Sequence, residues 1–315
     1  MRVLLALDGS ASSDAACQLV GSLSWPEATV IQVLGIVEPV VEMLAPRFGS
    51  TAAAGSSDGP TDELEQVLDR AVTSLDKPTL IVRREILVGR PATLIVDAAN
   101  DRRAELVVVG SRGRGPLASM LLGSVSAEVV DHAPCPVLVV RRPVAGSVLV
   151  AVDGSPSAIG AVNFLRAHRI TAERPIEVLT VVQASGLPDV VPLAGIRGFA
   201  VESQGGRLVE DRRRAEAIAA GAAQKLRGDG YHARWSVSAG NAAHEIIGAA
   251  EGFGSGLVVL GSRGHTGLSR IVLGSVARNV LLHTSASVLV VREPLRERSS
   301  ARAEVPASLA LVGSH

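Results

Sequence analysis

The residues best suited to chemistry in this 315-residue chain are glycines and serines that occur twice at one spacing. The first set is Gly110, Ser111, Arg112, Gly113, Arg114 and Gly115, closed by Gly123, Ser124 and Val125. The second is Gly261, Ser262, Arg263, Gly264, His265 and Gly267, closed by Gly274, Ser275 and Val276. Both obey the pattern G-x2-G-x9-G-S, and both follow an apolar run, Val107 to Val109 and Val258 to Leu260. A phosphate chain needs main-chain N–H groups that converge without a Cβ in the way, and a helix N-terminus to favour its charge. Gly110, Gly113 and Gly115 can supply the turn and the close approach, as can Gly261, Gly264 and Gly267. Gly123-Ser124 and Gly274-Ser275 fall where a helix begins, so the serine hydroxyl and the first free amides can face phosphate oxygens. Arg112 and Arg263 either add charge there or stay solvated. The plainer alternative is a turn after a buried strand, with Ser124 capping a helix. Retention of four fixed positions in halves that otherwise differ favours the cradle.

A second pair of candidates is Asp8 and Asp153, each opening Asp-Gly-Ser after an apolar strand. Each can cap the following helix, and each can accept from a ribose hydroxyl or hold Mg²⁺. Other chemistries fit less well. The lysines, Lys77 and Lys225, do not close a G-x4-G-K-[ST] loop. Gly113, Gly115 and Ala118 match a permissive dinucleotide fingerprint, but after the fourth strand, and the second copy lacks it. There is no nucleophile–His–carboxylate set and no metal-ligand spacing. His132 and His283 end matching helices, where a cation is favoured. Cys17 and Cys135 form no CxxC pair and read as reduced, buried thiols.

The elements that must position these residues follow from the apolar pattern. With 47% hydrophobic and only 2% aromatic residues, Val, Leu, Ile and Ala must build the core. The length allows two domains, and mean hydropathy is +0.32. Thirty-one basic and 31 acidic residues balance, which argues against a nucleic-acid or membrane-surface footprint. The opening apolar run stops at Asp8, too short for a secretory signal, and no stretch is long enough to span a bilayer. A soluble, cytoplasmic protein is expected.

Strands alternate with helices through residues 3–141 and again through 147–292, which predicts an α/β parallel sheet with helices on both faces. Helices are expected near 12–23, 61–75 (with Thr61 as cap) and 92–103, and from Ser124 to His132. In the second half they are expected near 157–168, 207–227, 242–252 and 275–283. Loops are expected at 39–60 and 184–206 and a disordered tail after 294, giving domains 1–143 and 144–294. Asp8 to Asp153 is six residues shorter than Gly110 to Gly261, a difference most simply placed in the two loops. If the strand order is 3-2-1-4-5, strands one and four are neighbours at the switch point, and Asp8 would then share one crevice with Gly110 to Ser124.

At these residues the chain resembles a tandem universal stress protein of the ATP-binding branch. The carriers are Ala-Leu-Asp8-Gly-Ser, Ala-Val-Asp153-Gly-Ser-Pro, Val88-Gly89-Arg-Pro and the two long glycine motifs. The resemblance implies two tandem Rossmann-like (adenine nucleotide alpha hydrolase-like) domains, each a five-stranded sheet of order 3-2-1-4-5, with ATP at the carboxyl edge; Mg²⁺ beside it is expected from the carboxylates of Asp8 and Asp153. It implies that Asp8 and Asp153 contact ribose, and that Ala6 and Ala151 lie near the nucleoside. The backbone at Ile36 and Val181 would meet adenine, Gly89 and Gly240 would stand at the third strand, and the glycines with Gly-Ser would hold phosphates. In that family fifth strands pair in dimers, so residues 136–141 and 287–292 could pair internally, and a homodimer is a further possibility. The Ala239-Gly240-Asn241 loop departs from the Gly-Arg-Pro of the first half, which weakens the third-strand contact there. Three functions follow: a nucleotide-dependent regulator of the stress response, a slow ATPase or autokinase, or a structural pair with empty sites. Absence of a dedicated hydrolytic residue favours the first.

Overall fold

A computed structural model describes residues 1–39, 60–113, 122–143, 146–183, 201–264 and 273–292, with side chains for all but 60 and 201–208. The expected tail, the body of the expected loop from 40 to 59, and Arg114, Gly115, His265 and Gly267 lie outside the described residues.

The chain opens with β1 (Arg2–Leu7), whose side chains alternate between the two faces of the sheet and are buried on both. Val3, Leu5 and Leu7 join one core, and Leu4 joins the other. Gly9 turns the chain at a φ of 76° and leads into α1 (Ala11–Ser22). There follow β2 (Thr29–Val37), α2 (Pro60–Ser74), β3 (Leu80–Val88), α3 (Pro91–Asp101) and β4 (Leu106–Gly110). The first half closes with α4 (Ser124–His132) and β5 (Val137–Val140). The second half repeats the order with β6 (Ser147–Ala151), α5 (Pro156–His168), β7 (Ile176–Val182), α6 (Val201–Gly228) and β8 (Ala233–Ala239). It ends with α7 (Ala242–Gly252), β9 (Ser255–Gly261), α8 (Ser275–His283) and β10 (Ser287–Val291).

The strands form one ten-stranded sheet of order β3-β2-β1-β4-β5-β10-β9-β6-β7-β8. Within each half all pairing is parallel, in the expected 3-2-1-4-5 order. The halves meet where β5 and β10 pair antiparallel, with Val139 opposite Val288, Leu138 opposite Leu289 and Val137 opposite Val290. The fifth strands, left as sheet edges in isolated halves, thereby cover one another. Two apolar layers, one on each face of the sheet, run across this seam without interruption. Each fully buried Val or Leu there contributes about 1.5–3 kcal/mol of transfer free energy.

Two expectations need correction. Pro60, not Thr61, is the first residue of α2, so Thr61 falls inside the helix; proline's fixed φ suits that first position. α6 begins at Val201, within the stretch read as a loop. Gly205 and Gly206 suggested a break there, yet each costs only about 1 kcal/mol of helix propensity, and a 28-residue helix runs through them. The register pairs Gly35 with Ile86 and Thr180 with Val237, so the extra residues of the second half lie between β7 and β8.

Candidate functional site

The sheet order sets β1 beside β4, and β6 beside β9, so the loops after these strands meet at the carboxyl edge. Their approach is close. A Cβ built on Gly113 would stand 2.9 Å from Asp8 Oδ2, and one on Gly264 would stand 2.8 Å from Asp153 Oδ2. Gly110 and Gly261 lie directly against the start of the next helix layer. A Cβ on Gly110 would meet the Ser12 carbonyl carbon at 2.8 Å, and one on Gly261 would meet that of Ser157 at 2.6 Å. Glycine at Gly110 and Gly261 is therefore a packing requirement against backbone, whereas at Gly113 and Gly264 it leaves room beside a carboxylate.

The helix after each glycine loop begins without a side-chain cap. Gly123 and Gly274 occupy the N-cap positions of α4 and α8 in extended conformation, and neither helix has a side-chain cap hydrogen bond. Ser124 and Ser275 are the first helical residues and are exposed, so the capping role considered for Ser124 does not hold. The loop is braced from within. Gly123 N donates to Ser111 O and Gly274 N to Ser262 O, both at 2.8 Å. Ser111 N and Ser262 N donate to Val140 O and Val291 O, again at 2.8 Å, while both serine side chains are buried. Ser126 Oγ donates to Gly110 O at 2.6 Å. What remains open is a helix N-terminus with its first amides and a hydroxyl facing out, the local arrangement that favours an anion.

Asp8 and Asp153 do not cap α1 and α5. That role belongs to Ser10, which accepts from Ser13 N, and to Ser155, which accepts from Ala158 N. Each aspartate instead accepts from the serine amide two residues on, through Oδ1, at 3.0 Å in Asp8 and 2.9 Å in Asp153. This local turn orients the carboxylate, with Oδ2 close to the glycine of the facing loop. Ser10 and Ser155 also tie the two loops together, because their hydroxyls donate to Arg112 O and Arg263 O, both at 3.2 Å. Ser157 adds a second tie by donating to Arg263 O. Reading the sequence overlooked these serines, although an Asp-Gly-Ser in both halves was the available signal.

In the second half these residues surround a cleft of about 900 Å³. Ala151, Asp153 and Val181 line it from the ends of β6 and β7, and Gly261, Arg263 and Gly264 from the facing loop. Gly274, Ser275 and Val276 close it at the start of α8, while Asp211, Arg214 and Ala215 of α6 form the far wall. Ser262 is buried beneath the loop, and Gly240 ends β8 outside this lining, at a φ of 148° that matches the 149° of Gly89. In the first half Ala6 and Ile36 are half-buried at the ends of β1 and β2, Val125 is half-buried in α4, and Arg112 is exposed. The histidines serve their helices: His132 Nδ1 lies 2.8 Å from Glu128 O and His283 Nδ1 lies 2.9 Å from Asn279 O. Both cysteines are free thiols; Cys135 is buried, which pushes its pKa up to about 12, whereas Cys17 is only half-buried, short of the burial expected of it. Among the described residues no group of three or more His, Cys, Asp or Glu could hold a metal on its own.

The sequence model of the universal stress protein family matches residues 1–141 and again 146–292. The chain belongs to the universal stress protein family. A universal stress protein of Mycobacterium tuberculosis is 30% identical over 306 residues, covering 92% of this chain and 97% of that protein. One from Mycolicibacterium smegmatis is 28% identical over 298 residues, covering 92% and 96%. A universal stress protein of Thermus aquaticus is 33% identical over 139 residues, which spans 44% of this chain but 97% of its own length. Among solved structures, the crystal structure of a universal stress protein from Archaeoglobus fulgidus superposes with a TM-score of 0.59 at 19% identity, covering 92% of this chain and 98% of that one. No helix among the described residues of this universal stress protein is long and apolar enough to cross a membrane.

Proposed function

We propose that this universal stress protein binds an adenine nucleotide, ATP, in each half and acts as a nucleotide-dependent regulator in the cytoplasm. One observation carries this reading: an uncapped helix N-terminus stands beside a glycine loop and an oriented carboxylate, and does so twice. Phosphates would lie against the amides of Gly113, Ser124 and Val125, or of Gly264, Ser275 and Val276, beside the cap glycines Gly123 and Gly274, with Arg114, Gly115, His265 and Gly267 as further candidates from the sequence. Asp8 and Asp153 would accept from ribose, and either carboxylate together with phosphate oxygens would suit Mg²⁺, which takes few protein ligands. Ala6, Ile36 and Gly89, with Ala151, Val181 and Gly240, would stand toward the nucleoside. The wall where Ala151, Leu179, Val181 and Ile246 meet is apolar, as a base requires.

Binding is favoured over turnover. Each aspartate has Oδ1 engaged by a serine amide, which suits a fixed acceptor better than a group that must exchange a proton. Calorimetric titration with MgATP tests the reading. Two sites per chain are expected, reduced to one by Gly113→Val or Gly264→Val. Lack of binding to the wild-type protein overturns it, and steady hydrolysis near 1 s⁻¹ lost in both variants would transfer the protein to the enzymes.

A further inference from the structure

Each half lends the other an arginine across the seam. Arg141, just after β5, donates through Nη2 to Leu281 O in the last turn of α8. Arg292, just after β10, donates through Nη2 to Val130 O and, at 2.6 Å, to Asp131 O in the last turn of α4. The two contacts are equivalent, since Leu281 stands two residues before the end of α8 as Val130 does in α4. Arg278 of α8 adds an ion pair to Asp131 at 2.9 Å. The final carbonyls of a helix lack partners within it, and its C-terminus favours a cation, so a guanidinium there both satisfies and orients the helix.

The opposite ends of these helices are the candidate phosphate seats. α4 has nine residues, about 13.5 Å at 1.5 Å per residue, and α8 has the same length. A helix this short moves as one body, so fixing Val130 fixes Gly123 and Ser124. Each crossing arginine also neighbours the loop arginine of its own half. Burial, and then the like charge of Arg112, brings Arg141 down to about 10; burial and then Arg263 lower Arg292 in the same way.

We propose that Arg292 and Arg141 are crossed positioning residues: Arg292 of the second half sets the phosphate-binding helix of the first, and Arg141 of the first half sets that of the second. Neither half then carries a complete site. This rests on the nucleotide reading above.

The test reads one site at a time in the full chain, by MgATP titration. In Gly264→Val protein, which keeps the first site, Arg292→Met should weaken ATP about fivefold or more, while Arg141→Met changes little. In Gly113→Val protein the pattern should reverse. Arg→Lys at either position should restore part of the loss, since lysine also donates to helix-end carbonyls, and it carries the same contrast if a methionine variant fails to fold. An uncrossed pattern, with each arginine affecting only its own half, overturns the proposal, as does equal loss at both sites or no loss in folded protein. Absence of binding in the Gly-substituted proteins before any arginine is changed would remove the nucleotide reading itself, and this proposal with it.

Discussion

Ser124 and Ser275 are the residues on which the chemistry at atomic scale turns. Because Gly123 and Gly274 hold the cap positions, the serine hydroxyls have no helix to terminate. Ser124→Ala should therefore leave unfolding unchanged and weaken MgATP by roughly 1.5–3 kcal/mol, the worth of a hydrogen bond to a charged group. Calorimetry in Gly264→Val protein separates it from the second site. Gly261→Ala should behave in the opposite way. Its Cβ would be forced to 2.6 Å from the Ser157 carbonyl carbon, and backbone does not yield as a side chain does. Overpacking of this kind costs about 1–3 kcal/mol, which denaturant unfolding would register without any ligand. His168 gives a pH signature. Burial lowers its pKa from 6.5, so the folded state prefers the neutral ring. Its contribution is present above pH 6.5 and is lost as pH falls toward the depressed folded value, so stability should decline on acidification through that range and less so in His168→Gln.

At the scale of elements, the alternation of Val-rich runs with Ala-rich amphipathic stretches made the strands and helices legible, and the bounds of α4 and α8 agree with the sequence reading to the residue. Sheet order came from the resemblance to the family rather than from the apolar pattern, and it placed Asp8 beside Gly113. The caps were less legible. Asp8 and Ser10 are both good capping residues two positions apart, and only the path of the turn at Gly9 decides that Ser10 reaches the free amide. The ties from Ser10, Ser155 and Ser157 to Arg112 O and Arg263 O are long-range contacts, which periodicity cannot carry. The same holds for Arg141 and Arg292, which in sequence look like any cations after a strand. Ser10→Ala should cost about 1 kcal/mol through loss of the α1 cap, and it should also weaken the first nucleotide site by releasing Arg112 O. Replacement by Asp, another capping residue, should restore stability but not the donated hydrogen bond, and so not the affinity.

For the molecule as a whole, the seam between β5 and β10 joins two five-stranded sheets into one, with both apolar layers continuous across it. A core shared in this way should unfold as one unit. Ligand bound to the native state alone adds RT ln(1 + [L]/Kd) per site, about 2.7 kcal/mol at a hundredfold excess over Kd. Saturating MgATP should therefore raise the stability of the wild type by about twice the increment seen in either Gly113→Val or Gly264→Val protein. An increment in one variant equal to that of the wild type, with none in the other, would show that one half binds nothing.

The central claim is that two uncapped helix ends, each beside a glycine loop and a fixed carboxylate, are seats for the phosphates of an adenine nucleotide. Its most direct measurement is the identity and number of nucleotides released on denaturing freshly purified protein that has been saturated with MgATP and freed of excess. The account predicts adenine nucleotide approaching two per chain. A chain that releases none contradicts it.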